Sequence, residues 1–408
     1  MCGAQPRRAR CSLLPAAGAE KFEVLMLSPR AKRALARAKR ALRTREARRH
    51  VWPSPTIAAR VLSGMKSETQ NSSKEVQRSL IHQVNAMQRA LLVHLNISHT
   101  PGLVFPARID GVDRLYVVSP SRCSRRRALV IEELGLRPAE VSAGIPVRFI
   151  GADGALGMDH LRRVAANVLD GELGFARNNP YKPNGSMTPG EVGAALSHLL
   201  AWQDMWSQRP PVRAALVVED DFAISAAAVR AGLAASGLAV PPRAAMPSAR
   251  LFAAFVGESV RQLSAPPTAS RWDLLYMSWQ PINGAPSPPP PPGLSTSGPM
   301  DLSNGPAMWW MRAYVLRRSG ARKLVAARRA YLGNLIAVDD WLACSQWGAA
   351  AAVPQTTAWL DCAREWAERV AGEQRIRTFA SRHCAARSQP KLKTSLTCGG
   401  LRTCSRDC

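Results

Sequence analysis

The sequence has no uninterrupted apolar stretch of 18 residues, so no segment of it is expected to cross a membrane as a helix. It has no Cys-x2-Cys spacing and no paired histidines beside its cysteines, which argues against a zinc site. Zinc-finger and helix-turn-helix patterns are missing as well. The stretch Cys11 to Ala19 is too short and too weakly apolar to serve as the hydrophobic region of a signal peptide. Acids are in short supply: 29 Asp and Glu stand against 55 Lys and Arg, a formal net charge of +26. The excess is uneven, because residues 1–60 hold 15 Lys or Arg and only 3 acids. That segment reads as a basic extension, helix-capable or disordered, and not as core. Its charge suits nucleic acid, an anionic membrane or an organellar presequence, and an Ala- and Arg-rich coding background explains it equally.

What is present is enough for a large folded domain: 408 residues, 46% of them hydrophobic. Residues 61–105 carry a weak helical rhythm through Val76, Leu80, Val84, Met87, Leu91 and Leu92 and are expected to form a helical lead-in. The main domain is expected over 112–350. It opens with an apolar strand, Arg114 to Ser119, then an Arg-rich turn from Arg122 to Arg127 and a helix. A second strand, Val147 to Ile150, runs into Gly151-Ala152-Asp153-Gly154, which completes a βαβ unit. Thr188-Pro189-Gly190-Glu191 has the form of a capping box with proline at the first helical position. The helix it starts carries His198 one turn before Trp202, either as a packed pair or as part of a site. Pro281 to Pro299 is a proline-rich insertion. A strand at Ala313 to Leu316 precedes a helix capped by Ser319. Residues 351–408 form a helical and cysteine-containing basic tail, loosely ordered beyond about 375. Of nine cysteines, Cys384, Cys398, Cys404 and Cys408 crowd this tail, where they can form disulfide loops in an oxidising compartment.

The run Ala214 to Phe222 ends an apolar strand in three consecutive carboxylates, Glu219, Asp220 and Asp221. Strands without polar interruption are sheltered on both faces, as in parallel sheets, and such sheets gather ligands at the carboxyl ends of their strands. Carboxylates fixed there can hold Mn²⁺ or Mg²⁺ shared with a substrate diphosphate; an exposed acidic turn is the plainer alternative. Strand alternation puts Glu219 and Asp221 on one face if the strand continues that far, which ranks Asp221 first and Glu219 second as ligands. Asp339 and Asp340 form a second acidic cluster.

Taken in order, these motifs resemble glycosyltransferase family 25, which includes lipopolysaccharide and lipooligosaccharide glycosyltransferases and collagen hydroxylysine galactosyltransferases. The matching segments are Tyr116-Val117-Val118-Ser119 with Arg122, Arg125 and Arg126; Thr188 to His198 with Trp202; Leu216 to Asp221; Trp272 to Tyr276; and Ala313 to Leu324 followed by Val338-Asp339-Asp340. The resemblance implies an α/β, GT-A-like domain of Rossmann type with a mostly parallel central sheet, flanked by poorly ordered basic extensions. It implies an inverting hexosyltransferase that moves galactose or glucose from a UDP-sugar to a hydroxyl of a glycan, lipid-linked sugar or protein. Inversion by direct displacement needs a carboxylate to accept the acceptor proton, and Asp339 or Asp340 is the candidate base or acceptor anchor. Arg122, Arg125 and Arg126, Asp153-Gly154 and His198 are the donor-side candidates. Three departures stand out: Ser119 where the family commonly has Asn, Trp309-Trp310-Met311-Arg312 before the following strand, and the proline insertion. A catalytically inactive family member is one alternative, and a basic nucleic-acid-binding protein is the other, although nucleic acid leaves the acidic strand end unexplained. The sequons at Asn71, Asn96 and Asn184 and the tail cysteines point to the endoplasmic reticulum or Golgi lumen for a eukaryotic source. A bacterial source points to the cytoplasm, where nucleotide sugars are made.

Overall fold

The computed structural model describes residues 98–99, 102–120, 122–140, 142–175, 187–240, 246–266, 272–278, 280–281, 299–302, 308–309, 311–339, 341–342, 376–381, 383 and 385–388. All belong to one compact unit, Met87–Cys408. The basic extension 1–60, the helical rhythm from Val76 to Leu92, residues 282–298 of the proline-rich segment, residues 351–375 of the tail, the three sequon asparagines, Asp340 and the tail cysteines lie outside the described residues.

The strands are β1 (Ser98–His99), β2 (Leu103–Phe105), β3 (Arg114–Val118), β4 (Arg137–Pro138), β5 (Ile145–Ile150), β6 (Ala214–Glu219), β7 (Phe222–Ile224), β8 (Leu274–Tyr276), β9 (Gln280–Pro281), β10 (Met300–Asp301), β11 (Met308–Trp309), β12 (Ala313–Arg317), β13 (Thr378–Ala380) and β14 (Ala386–Ser388). The helices are α1 (Ser124–Glu133), α2 (Met158–Val168), α3 (Pro189–Ser207), α4 (Ala226–Ala235), α5 (Ser248–Ser264), α6 (Arg318–Ala326) and α7 (Arg328–Gly333). The main sheet runs β10-β13-β8-β12-β6-β3-β5-β2-β4, with β1 added against β5.

Its central strands are buried on both sides, and alternation divides their side chains between two cores. Tyr116, Val217, Tyr314 and Leu316 face a layer containing α2, α3 and α6. Leu115, Val117, Leu216, Val218 and Val315 face a layer with α1, α4 and α5. The result is a sheet between two helical layers, with no polar face left on the central strands.

The sheet is mixed, which corrects the expectation of a mostly parallel one. β3 is parallel to β5 and β6, and β13 is parallel to β8. β12 is antiparallel to both β6 and β8, and β2 is antiparallel to β5. An apolar strand buried on both faces looks the same in either direction, so its composition carries no sign of polarity. The sheet also reaches beyond 112–350 at both ends. Leu103–Phe105, inside the expected helical lead-in, is strand, and so are Thr378–Ala380 and Ala386–Ser388 in a tail expected to be loose. Strands of three residues are too short to show a period.

The capping box at α3 is as the sequence predicts: the Thr188 hydroxyl accepts from the Glu191 N–H at 3.3 Å, and the Thr188 N–H donates to Glu191 Oε2 at 2.7 Å. Ser319 does not cap α6, whose N-cap is Arg317. Its hydroxyl donates instead to Asp273 Oδ1 at 2.6 Å, a buried carboxylate that also holds Lys323 at 2.5 Å. Helix α5 was not expected, although Leu251, Phe252, Phe255, Val256 and Leu263 form a helical apolar stripe.

Candidate active site at the carboxyl end of β6

Because β5, β3 and β6 are parallel neighbours, the segments that follow them emerge at one edge of the sheet. The chain leaves β3 by α1 on one face and β5 by α2 on the other. Connections that part in this way open a crevice at the carboxyl edge of a parallel pair. Arg122 stands there with Asp153, Nε to Oδ1 at 2.7 Å, linking the two departing segments. Asp153 Oδ1 also accepts from the Ala155 N–H at 3.0 Å, which caps a short turn over Gly154–Leu156.

Glycine at 154 has a packing reason. A Cβ there would come within 2.3 Å of the Pro189 carbonyl oxygen, so the start of α3 lies directly on this loop. Ser197 ties the two together by accepting from the Ala152 N–H at 2.8 Å and donating to Gly193 O at 2.6 Å. Arg125 is exposed in the first turn of α1.

The acidic run divides at the end of the strand. β6 stops at Glu219, and Asp220 and Asp221 form the turn into β7, so the strand does not reach far enough to set Asp221 by alternation. Asp220 points toward the α1 layer, where Arg126 Nη1 donates to its Oδ1 at 3.1 Å. Asp221 Oδ2 pairs with Arg312 Nε at 3.5 Å. Glu219, on the face of Val217, meets His198 of α3, with Oε1 3.2 Å from Nε2. Tyr314 Oη of β12 lies 2.9 Å from His198 Nδ1 and accepts from the Trp202 indole N–H at 2.7 Å. His198 and Trp202 are therefore neighbours, as the plainer reading has it, but the histidine is also one link between Tyr314 and the acidic run.

Asp339 comes in from the other end of the chain, in a short helical turn whose Trp341 stacks on Tyr331 at 4.1 Å and on Trp202 at 5.9 Å between centroids. Its carboxylate accepts a hydrogen bond from the Met311 backbone, feels the Glu219 charge, and in turn acts on His198. Burial, followed by the Glu219 charge, pushes the Asp339 carboxyl up to about 6. Burial is also the main cause of the raised Glu219, with Asp221 adding to it and Arg312 opposing; because 27% of the Glu219 side chain meets solvent, water offsets part of this. Asp220 is raised by burial against the pull of Arg126. His198, fully buried, is lowered to about 4, so it is neutral at pH 7.

The structure thus brings Glu219, Asp220, Asp221, His198, Arg126 and Asp339 together and sets Arg122, Asp153 and Gly154 in the adjoining crevice. Two participants escaped the sequence reading. Arg312 stood out only as a departure from a pattern, and Tyr314 only as a strand residue. A cation placed directly before a core strand was the available signal for the first. As arranged, the acidic run does not fit a divalent ion: its carboxylates face guanidinium groups or His198, and among the described residues no three His, Cys, Asp or Glu form a group able to hold a metal.

No protein-family model matches the chain. It is weakly homologous to glycosyltransferase 25 family member 3 proteins. The mouse protein named inactive glycosyltransferase 25 family member 3 is 25% identical over 232 residues, 57% of this chain and 31% of the relative. The human protein of the same name is 26% identical over 240 residues, 58% and 32% of the two chains, and a bovine protein named probable inactive glycosyltransferase 25 family member 3 is 26% identical over 234. The chain spans about a third of the length of these relatives.

Proposed function

We propose that this chain is a GT-A-like glycosyltransferase domain that moves a hexose, galactose or glucose, from a UDP-sugar to a hydroxyl of a glycan, glycolipid or protein, with inversion. The observation that supports it is the convergence of Glu219, His198 and Asp339, from three separate elements, at the carboxyl end of β6. In the reaction the acceptor oxygen attacks the anomeric carbon, and its proton goes to Asp339. The bond from that carbon to the diphosphate oxygen breaks, and the electron pair leaves with the nucleoside diphosphate. A carboxyl raised to about 6 is ionised at neutral pH and more basic than an ordinary aspartate, as a proton acceptor should be. Arg122, paired with Asp153 in the crevice, and Arg125, exposed in the first turn of α1, supply positive charge for the diphosphate. Asp340 remains an alternative base.

The test is a donor-hydrolysis screen against nucleotide sugars, which reports the donor without needing the acceptor. Release of UDP from one sugar donor, lost on Asp339→Asn, supports the reading, and no release from any donor overturns it. A second reading, a family member without catalysis, is favoured by the guanidinium groups against Asp220 and Asp221 and by the word inactive in the relatives' names. It predicts binding of a nucleotide sugar, seen as a raised thermal midpoint, with no turnover.

We place the chain in the secretory lumen. Cys123, just before α1, is disulfide-bonded, which suits an oxidising compartment. An N-glycosidase mobility shift of the native protein is the expected result.

A further inference from the structure

We propose that Arg312 and Arg126 are the resident cations of the acidic run and that the end of β6 takes no divalent metal ion; this rests on the reading above only in taking that strand end as the site. Arg312 is held where it is by the sheet. β12 runs antiparallel to β6 with Ala313 opposite Val218, so Arg312 falls opposite Glu219, and the Glu219 N–H donates to the Arg312 carbonyl at 3.0 Å. The Arg312 side chain is 7% exposed and the Asp221 side chain 13%, so their charges meet with little water between them. Arg126 reaches Asp220 from the opposite face of the sheet, with the two side chains 10% and 9% exposed.

A divalent ion of this kind needs several oxygens at about 2.1 Å in near-octahedral array. Here the carboxylates turn to different partners, and an incoming cation would meet two buried guanidinium groups. Neither can give up its charge, because arginine stays protonated throughout the working pH range. Asp220 Oδ2 and Asp221 Oδ1 are buried and have no hydrogen-bond partner. Removal of Arg312 therefore leaves Asp221 uncompensated beside Glu219, with Arg126 still on Asp220, and a metal ion can take the place of the lost guanidinium.

Mn²⁺ titrated into the full chain tests this, with the free ion followed by electron paramagnetic resonance and the thermal midpoint measured in parallel. The wild type is expected to show no saturable site and no rise in midpoint at about 1 mM Mn²⁺. Arg312→Ala is expected to gain one site at least about tenfold tighter, which Asp221→Asn in the same background removes. A wild-type Mn²⁺ site abolished by Asp221→Asn overturns the proposal, and so does a folded Arg312→Ala protein that binds no better than wild type. Arg312→Met, which keeps the packing of the stem, replaces Arg312→Ala if the latter does not fold. The readout needs no sugar transfer: a chain with neither turnover nor a Mn²⁺ site fails the functional reading and leaves this one standing.

Discussion

Asp339 is where stability and the proposed chemistry oppose each other. Its folded pKa, about 6, lies above the unfolded aspartate value, so the folded state binds its proton more tightly. The stability from that extra affinity is fully present below about pH 4 and is lost as pH rises through 6, where the ionised carboxylate must sit beside Glu219. Asparagine imitates the protonated form and keeps an oxygen for the Met311 N–H. Asp339→Asn should therefore raise the urea midpoint at pH 8, with the advantage shrinking toward pH 4, while donor turnover falls. An unchanged midpoint at pH 8 would show that Asp339 carries no such strain. His198 adds an opposite trend, stronger in the Asn variant, which lacks the Asp339 charge that raises its pKa: burial depresses that pKa, so stability is lost as pH falls from about 6.5 toward 4.

At the scale of elements, the βαβ opening, the capped helix and the strand that ends in acids were all legible, because each has a local signature: a period, a cap or a break in apolarity. Strand direction was not, since β12 reads as four apolar residues whichever way it runs. Yet its antiparallel register with β6 is what sets Arg312 against the acidic run. The site was half legible for the same reason. Glu219, Asp220 and Asp221 are contiguous in sequence, whereas Arg312 and Tyr314 reach them only through pairing with distant residues. The contact between the 151–154 loop and α3 is equally non-local. Gly154→Ala would push a methyl group onto the Pro189 carbonyl, which is backbone and has little room to yield. A loss of about 1–3 kcal/mol in urea unfolding is expected, with donor binding weakened as Asp153 shifts. Wild-type stability in this variant would mean that the start of α3 moves freely.

For the whole molecule, nearly half of the formal charge of +26 lies in a part of the chain far in sequence from the acidic site. Residues 1–60 carry 15 basic residues and 3 acids, so their removal takes away nearly half the excess. Retention on heparin should weaken on that truncation, with elution at clearly lower salt. An unchanged elution salt would assign the positive field to the remaining chain and strengthen the polyanion-binding alternative. Composition made the charge visible at once. Its separation from the core of the sheet becomes clear only from the two apolar faces of β3, β6 and β12, which leave no room there for unpaired charge.

The indole of Trp202 can give a hydrogen but has no lone pair with which to receive one, and this sets a direction at the far end of the chain Trp202–Tyr314–His198–Glu219. The phenol oxygen is already an acceptor there, and His198 Nδ1 is the recipient available for its own hydrogen. A neutral imidazole that receives at Nδ1 must present its hydrogen at Nε2, toward Glu219. With that tautomer all three links point the same way, from the buried aromatic layer out to the carboxylate. Glu219 thus meets incoming groups with Oε1 already claimed and only its other oxygen open to them.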